Sequence, residues 1–226
     1  MNKQTTLPLN LPLYAAAWVV IAVTTFYTGL SLPNDLQLPI HWNLQFEPDN
    51  FANKWLALLM LPSVSVFIAL FMTFLPKFEP RKQNLLRSAT AYQGVFWAVQ
   101  VLFLIMQISI FSNAWQWGWS MERFVSLGMA LLFLVMGNYL GKTRSTFVFG
   151  IRTPWTLSSE TVWRKTHRTA GYGLVVVGAL TLLVTPWSST NTVIISLALM
   201  SVVLISSTIY SYFLWSNEAA KKKLKG

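Results

Sequence analysis

Apolar residues are not spread evenly along this chain; they collect into six runs separated by short polar breaks. A helix needs roughly 20 residues to cross a hydrocarbon core of ~30 Å, and the runs near Leu13 to Leu30, Trp55 to Leu75, Tyr92 to Phe111, Phe124 to Leu140, Ala170 to Pro186 and Val193 to Trp215 approach or meet that length. The fourth and fifth are short and borrow from their flanks. A cleaved signal peptide is the competing reading of the first run, but no convincing small-residue cleavage site follows it. The pattern predicts an all-α membrane protein with six transmembrane helices.

Two of the breaks carry patterns of their own. Between the first two runs, Leu36, Leu38, Ile40, Trp42 and Leu44 alternate with polar neighbours, the period of a short strand with one apolar side. Pro39 makes it an edge or isolated strand, and Glu47 to Asn50 reads as a turn. Between the fourth and fifth runs, Pro154 biases Thr153 away from helix, after which Ser158 or Ser159 can cap a new helix with Glu160 in its first turn. At 100° per residue Val162, Trp163, Thr166 and Ala170 share one face and Arg164, Lys165 and Arg168 the other, the layout of an interfacial helix leading into the fifth span. Trp155 and Trp163 suit the headgroup level.

Composition agrees with the pattern: 54% of residues are hydrophobic, 11% charged, and the net charge is +10. The cations lie between apolar runs, where lipid is the nearer anion, so direct nucleic-acid binding is not expected. With no cysteine there is neither a disulfide nor a thiolate metal site. Lys77, Arg81, Lys82 and Arg87 follow the second span; Lys142, Arg144, Arg152, Arg164, Lys165 and Arg168 follow the fourth; Lys221, Lys222, Lys223 and Lys225 end the chain. Only Lys54 and Arg123 fall on the other side. Basic loops stay cytoplasmic, which predicts both termini inside the inner membrane, one extracytoplasmic strand-like loop, and one cytoplasmic interfacial helix.

The candidate chemistry is sparse. No acid, lysine, arginine or histidine occupies the middle of a span, which disfavours a proton relay. Gln93, Gln100 and Gln107 recur every seven residues on the third span and serve either as interhelical hydrogen bonds or as a polar path. "GNYLG", Gly137 to Gly141, permits a close helix approach, and Pro62 predicts a kink whose freed carbonyl needs another donor. His41 with Glu47 and Asp49 offers a weak metal-ligand set, so no metal or other cofactor is assigned. Outer-loop recognition would use His41, Trp42, Asn43, Pro48 and Asp49. On the inner side Arg152, Thr153, Pro154, Trp155, Trp163, Arg164, His167 and Arg168 form either a structural elbow or a docking surface. No nucleophile, base or metal constellation argues for an enzyme.

The stretch "GNYLGKTRSTFVFGIRTPWTLSSETVWRKTHRTAG", Gly137 to Gly171, resembles the signature of the SdpI family of bacterial membrane immunity proteins, and "LPIHWNLQFEPD", Leu38 to Asp49, resembles the uncharacterised domain that often precedes it. Phe46 stands where that pattern has glycine. The resemblance divides the chain into an N-terminal membrane region, 1–115 with outer loop 31–54, and an SdpI-like region, 116–226 with inner loop 141–169. It implies protection against a secreted peptide toxin outside, and a transcriptional repressor held at the membrane inside. A small-solute transporter using the glutamine stripe is the alternative. Membrane lipid is the one partner expected on either reading; the oligomeric state is left open.

Overall fold

The structure, a computed structural model, describes residues 11–223; Lys225 of the basic tail lies outside the described residues. The helices are α1 (Leu11–Ser31), α2 (Lys54–Phe74), α3 (Lys82–Arg87), α4 (Ala89–Ala114), α5 (Met121–Leu140), α6 (Pro154–Ser158), α7 (Glu160–Val184) and α8 (Thr190–Lys223), with strands β1 (Gln37–Trp42) and β2 (Pro48–Asn53) between α1 and α2. Six of these helices are long and apolar enough to cross a membrane. The chain is therefore a multi-pass membrane protein. Each span packs on the next in sequence; α5 and α7 form the tightest pair, while α1, α2 and α8 face mostly outward.

Glycine makes the α5–α7 contact possible. A Cβ on Gly137 would stand 2.7 Å from the carbonyl oxygen of Gly171, and one on Gly171 would stand 2.6 Å from that of Gly137. The same seam continues through Gly141 against Arg168 and Gly178 against Ala130 and Leu134. The spacing read from "GNYLG" thus serves packing within the chain, with its partner glycines on α7.

Pro62 lies inside α2 and has no N–H to give to the carbonyl four residues earlier, that of Leu58. Gln107 Nε2 of α4 donates to that carbonyl at 3.1 Å. One turn away, Ser65 donates to Gln100 Oε1 at 2.6 Å. Two members of the stripe therefore tie α4 to the proline-containing helix.

At one end of the bundle β1 and β2 pair antiparallel, with Leu38 opposite Ala52 and Trp42 opposite Pro48. The expected single strand is thus a hairpin. Leu38 is buried with Ala57, Leu58 and Ile110, and Leu36, Ile40 and Trp42 pack around them, so the alternation correctly marked the inward side. The turn is not at Glu47 to Asn50, because Pro48, Asp49 and Asn50 pair in β2. Asn43 makes it instead: its Oδ1 accepts from the backbone of Gln45 (2.9 Å) and Glu47 (3.0 Å). Leu44 falls in that turn and is exposed. Phe46 adopts φ 60°, the left-handed conformation glycine takes at low cost.

Lys54, buried at the start of α2, donates to Leu32 O at 2.5 Å and Asn34 Oδ1 at 3.0 Å, placing its charge at the C-terminal end of α1. The Trp115 indole donates to Thr28, and the Thr190 hydroxyl donates to Gln45 O at 3.2 Å. The segments 31–54, 115–120 and 185–190 thus gather at the hairpin end.

Candidate functional site

At the other end the segments 75–88 and 141–160 and the last turns of α8 come together in a polar elbow. Its local shape follows from its sequence. Thr153 is extended and caps α6, with Pro154 at the first turn; Thr156 N donates to Thr153 Oγ1, and Thr153 N to Thr156 Oγ1. Ser159 then caps α7 by accepting from Val162 N, as the hydroxyl pattern predicted. The short helix α6 between the two caps was not anticipated.

The expected interfacial helix runs without a break into the fifth span. Its apolar face is covered by protein: Val162, Trp163, Thr166, His167 and Ala170 are all buried. Trp163 is therefore enclosed by protein and does not face lipid. Its ring stacks on His167 with centroids 3.9 Å apart, and its indole N–H donates to Thr143. His167 Nε2 accepts from Ile151 N at 2.8 Å, so that nitrogen carries no proton; Nδ1, 2.8 Å from the Trp163 carbonyl, carries it. His167 is a neutral clamp holding the loop at Ile151 and is not available to a partner. Gly150, at φ 107°, fits under the clamp because any Cβ would lie 2.6 Å from His167 Nε2.

Two carboxylates organise the rest. Glu79, buried between α2 and α3, accepts from the backbone N–H groups of Phe147 (2.8 Å), Val148 (2.9 Å) and Arg81 (2.8 Å). Glu160 Oε1 accepts from Ser145 Oγ (2.6 Å), Ser145 N (3.2 Å) and Asn84 Nδ2 (3.2 Å). Arg81 crosses the same gap, donating to Ser145 Oγ and Leu157 O while its guanidinium lies over the Phe147 ring. The loop after the second span is thus hydrogen-bonded to the loop after the fourth. Glu79, Arg81 and Asn84 were missed as site residues, and the only sequence signal was an acid set among the cations of a short loop.

The eight elbow residues singled out from sequence divide into two groups. Thr153, Trp163 and His167 build the interior, and Trp155 donates its indole N–H to Ser211 and meets Tyr212 edge-on, tying the elbow to α8. Pro154 is exposed at the start of α6. Arg152, Arg164 and Arg168 are exposed; Arg152 reaches back to the Phe147 carbonyl, and Arg168 lies against Tyr172. Ser159 Oγ also donates to Glu218 at 2.7 Å.

At the hairpin, His41 Nδ1 and Asp49 Oδ1 are 2.6 Å apart on an exposed edge, while Glu47 accepts from Asn43. Among the described residues no group of three potential metal ligands forms. Trp42 points into the packing beneath the hairpin and Asn43 is used by the turn, leaving His41, Pro48 and Asp49 on the outside.

Residues 142–211 match the SdpI/YfhL protein family, and residues 14–66 match a domain of unknown function, DUF1648. The chain is 24% identical to Immunity protein SdpI of Bacillus subtilis (strain 168) over 212 residues, covering 92% of this chain and 96% of that one. No solved structure matches. The chain thus carries an SdpI-family region preceded by a DUF1648 region, the arrangement its two motifs resemble.

Proposed function

We propose that this chain is a membrane immunity protein, not an enzyme, that protects its cell against a secreted, membrane-active peptide. The likeness to an immunity protein along nearly the full length of both chains carries this reading. On this reading the hairpin end faces outward and meets the peptide through His41, Pro48 and Asp49. The elbow faces the cytoplasm against anionic lipid, and its exposed Arg152, Arg164 and Arg168 offer a surface to a regulator.

The path between the ends is α8. It touches the hairpin through Thr190 and the elbow through Ser211 and Glu218. At 34 residues it is about 50 Å long, well beyond the ~30 Å core. A peptide that prefers one seating of the hairpin would shift α8 and with it the elbow. The test is survival of a sensitive host expressing this chain when challenged with a panel of membrane-active peptides. Protection retained by the parent and lost in Arg152→Ala at equal membrane insertion supports a docking role for the elbow; protection unchanged by Arg152→Ala reduces the elbow to scaffolding, and no protection by the parent against any peptide counts against the immunity reading.

A further inference from the structure

Beneath the elbow lies a cavity of about 260 Å³. Its floor is the α5–α7 pair, through Met136 and Leu174; Val95 of α4 and Leu204 of α8 flank it, and Phe149 to Ile151 close its elbow end. The wall is almost wholly apolar. The Thr143 hydroxyl in that wall is already spent, donating to Leu140 O and accepting from the Trp163 indole. The backbone of Ile151 is likewise spent, on His167 and Thr156. A water needs several polar partners, and an apolar cavity of about 150 Å³ already stays dry and takes up benzene. This larger one suits a longer hydrocarbon.

The flanks identify the source. α4 and α8 do not pack on each other, so the space between them, over the α5–α7 floor, opens sideways to the bilayer. Charge then selects the head. Lys142 is exposed, and its Nζ lies 5.3 Å from the ring centroid of Tyr139, another wall residue; it spends one of its donors on Asn138 and keeps the others. Arg144 is exposed one residue beyond Thr143, and Arg152 one residue beyond Ile151. Among the described residues none of these three cations forms an ion pair. A tail inserted here therefore brings its head against positive charge that the protein leaves unneutralised. We propose that the cavity seats one acyl chain of an anionic phospholipid from the leaflet on the elbow side, with the lipid phosphate on Lys142.

The proposal rests neither on the immunity reading nor on sidedness. It is tested on the full chain in phosphatidylcholine nanodiscs doped with phosphatidylglycerol that carries a diazirine midway along one acyl chain, beside the matching phosphatidylcholine probe. Saturable labelling of the segments around Val95, Met136 and Leu204 by the first probe is expected, competed by unlabelled phosphatidylglycerol but not by added phosphatidylcholine or oleate. Lys142→Gln, an exposed change, should lower that labelling about fivefold, the scale of one cation beside an anionic surface, and leave the phosphatidylcholine probe unchanged. Leu204→Trp, which fills the cavity from its α8 flank, should abolish it in protein that melts as cooperatively as the parent. Equal labelling by both probes, competition by oleate as strong as by phosphatidylglycerol, labelling indifferent to Lys142→Gln or to Leu204→Trp, or labelling spread along the lipid-facing helices without saturation would each overturn the assignment.

Discussion

Gln107 supplies to α2 the hydrogen bond that Pro62 removes: the amide of one helix donates to the carbonyl that the proline of its neighbour leaves open. The two residues should therefore be energetically coupled. Gln107→Leu is expected to destabilise the folded protein by about 1 kcal/mol, the usual scale for such bonds in membranes. In a Pro62→Ala background, where the N–H is restored, the same change should cost measurably less. Unfolding in mild detergent, run as a double-mutant cycle, reads the difference.

Gly171→Ala places a methyl group where the Gly137 carbonyl already stands, so the two helices must separate. A loss of about 1–3 kcal/mol is expected from such overpacking. A lowered melting temperature in detergent checks it.

Replacing His167 by Phe keeps a ring against Trp163 but leaves the half-buried Ile151 N–H without its acceptor, a cost of about 1 kcal/mol. The loop before Thr153 should become sensitive to protease, and the Ile151 amide should exchange with solvent faster. Arg164→Ala, on the exposed face of α7, should leave both unchanged.

Glu79→Gln puts an amide donor where the carboxylate accepts three backbone N–H groups. The fold should weaken by about 1–3 kcal/mol. Exchange should rise at Phe147 and Val148, far in sequence from the substitution.

Orientation is testable because the parent chain has no cysteine. A membrane-impermeant maleimide should label Leu44→Cys in intact cells and Ser158→Cys only after permeabilisation. Both positions are exposed, so the reverse result would invert the proposed sidedness.

The spans were legible because membrane crossing imposes a length and a composition that no other constraint mimics. The caps at Thr153 and Ser159 and the inward side of β1 were legible because they are set by near neighbours. The second strand was not: "PDNFAN" buries only Ala52, so it has the composition of a turn and pairs through its backbone. The positions of Trp163 and His167 misled for another reason. A helical period shows which residues share a face, but whether lipid or protein covers that face is decided here by Gly150 and Ile151, a dozen or so residues upstream. The tie from Glu79 to Phe147 and Val148 spans nearly 70 residues and leaves no local pattern.

Glu79 and Glu160 are satisfied by backbone and neutral side-chain donors, and among the described residues neither forms an ion pair with lysine or arginine. The architecture of this end and the field around it are therefore decoupled. Dissolved electrolyte screens the field of Arg152, Arg164 and Arg168 beyond a Debye length of about 8 Å at 0.15 M while leaving those short internal contacts almost untouched. Ionic strength thus becomes a dial that turns down whatever anion these arginines attract, without loosening the frame that displays them.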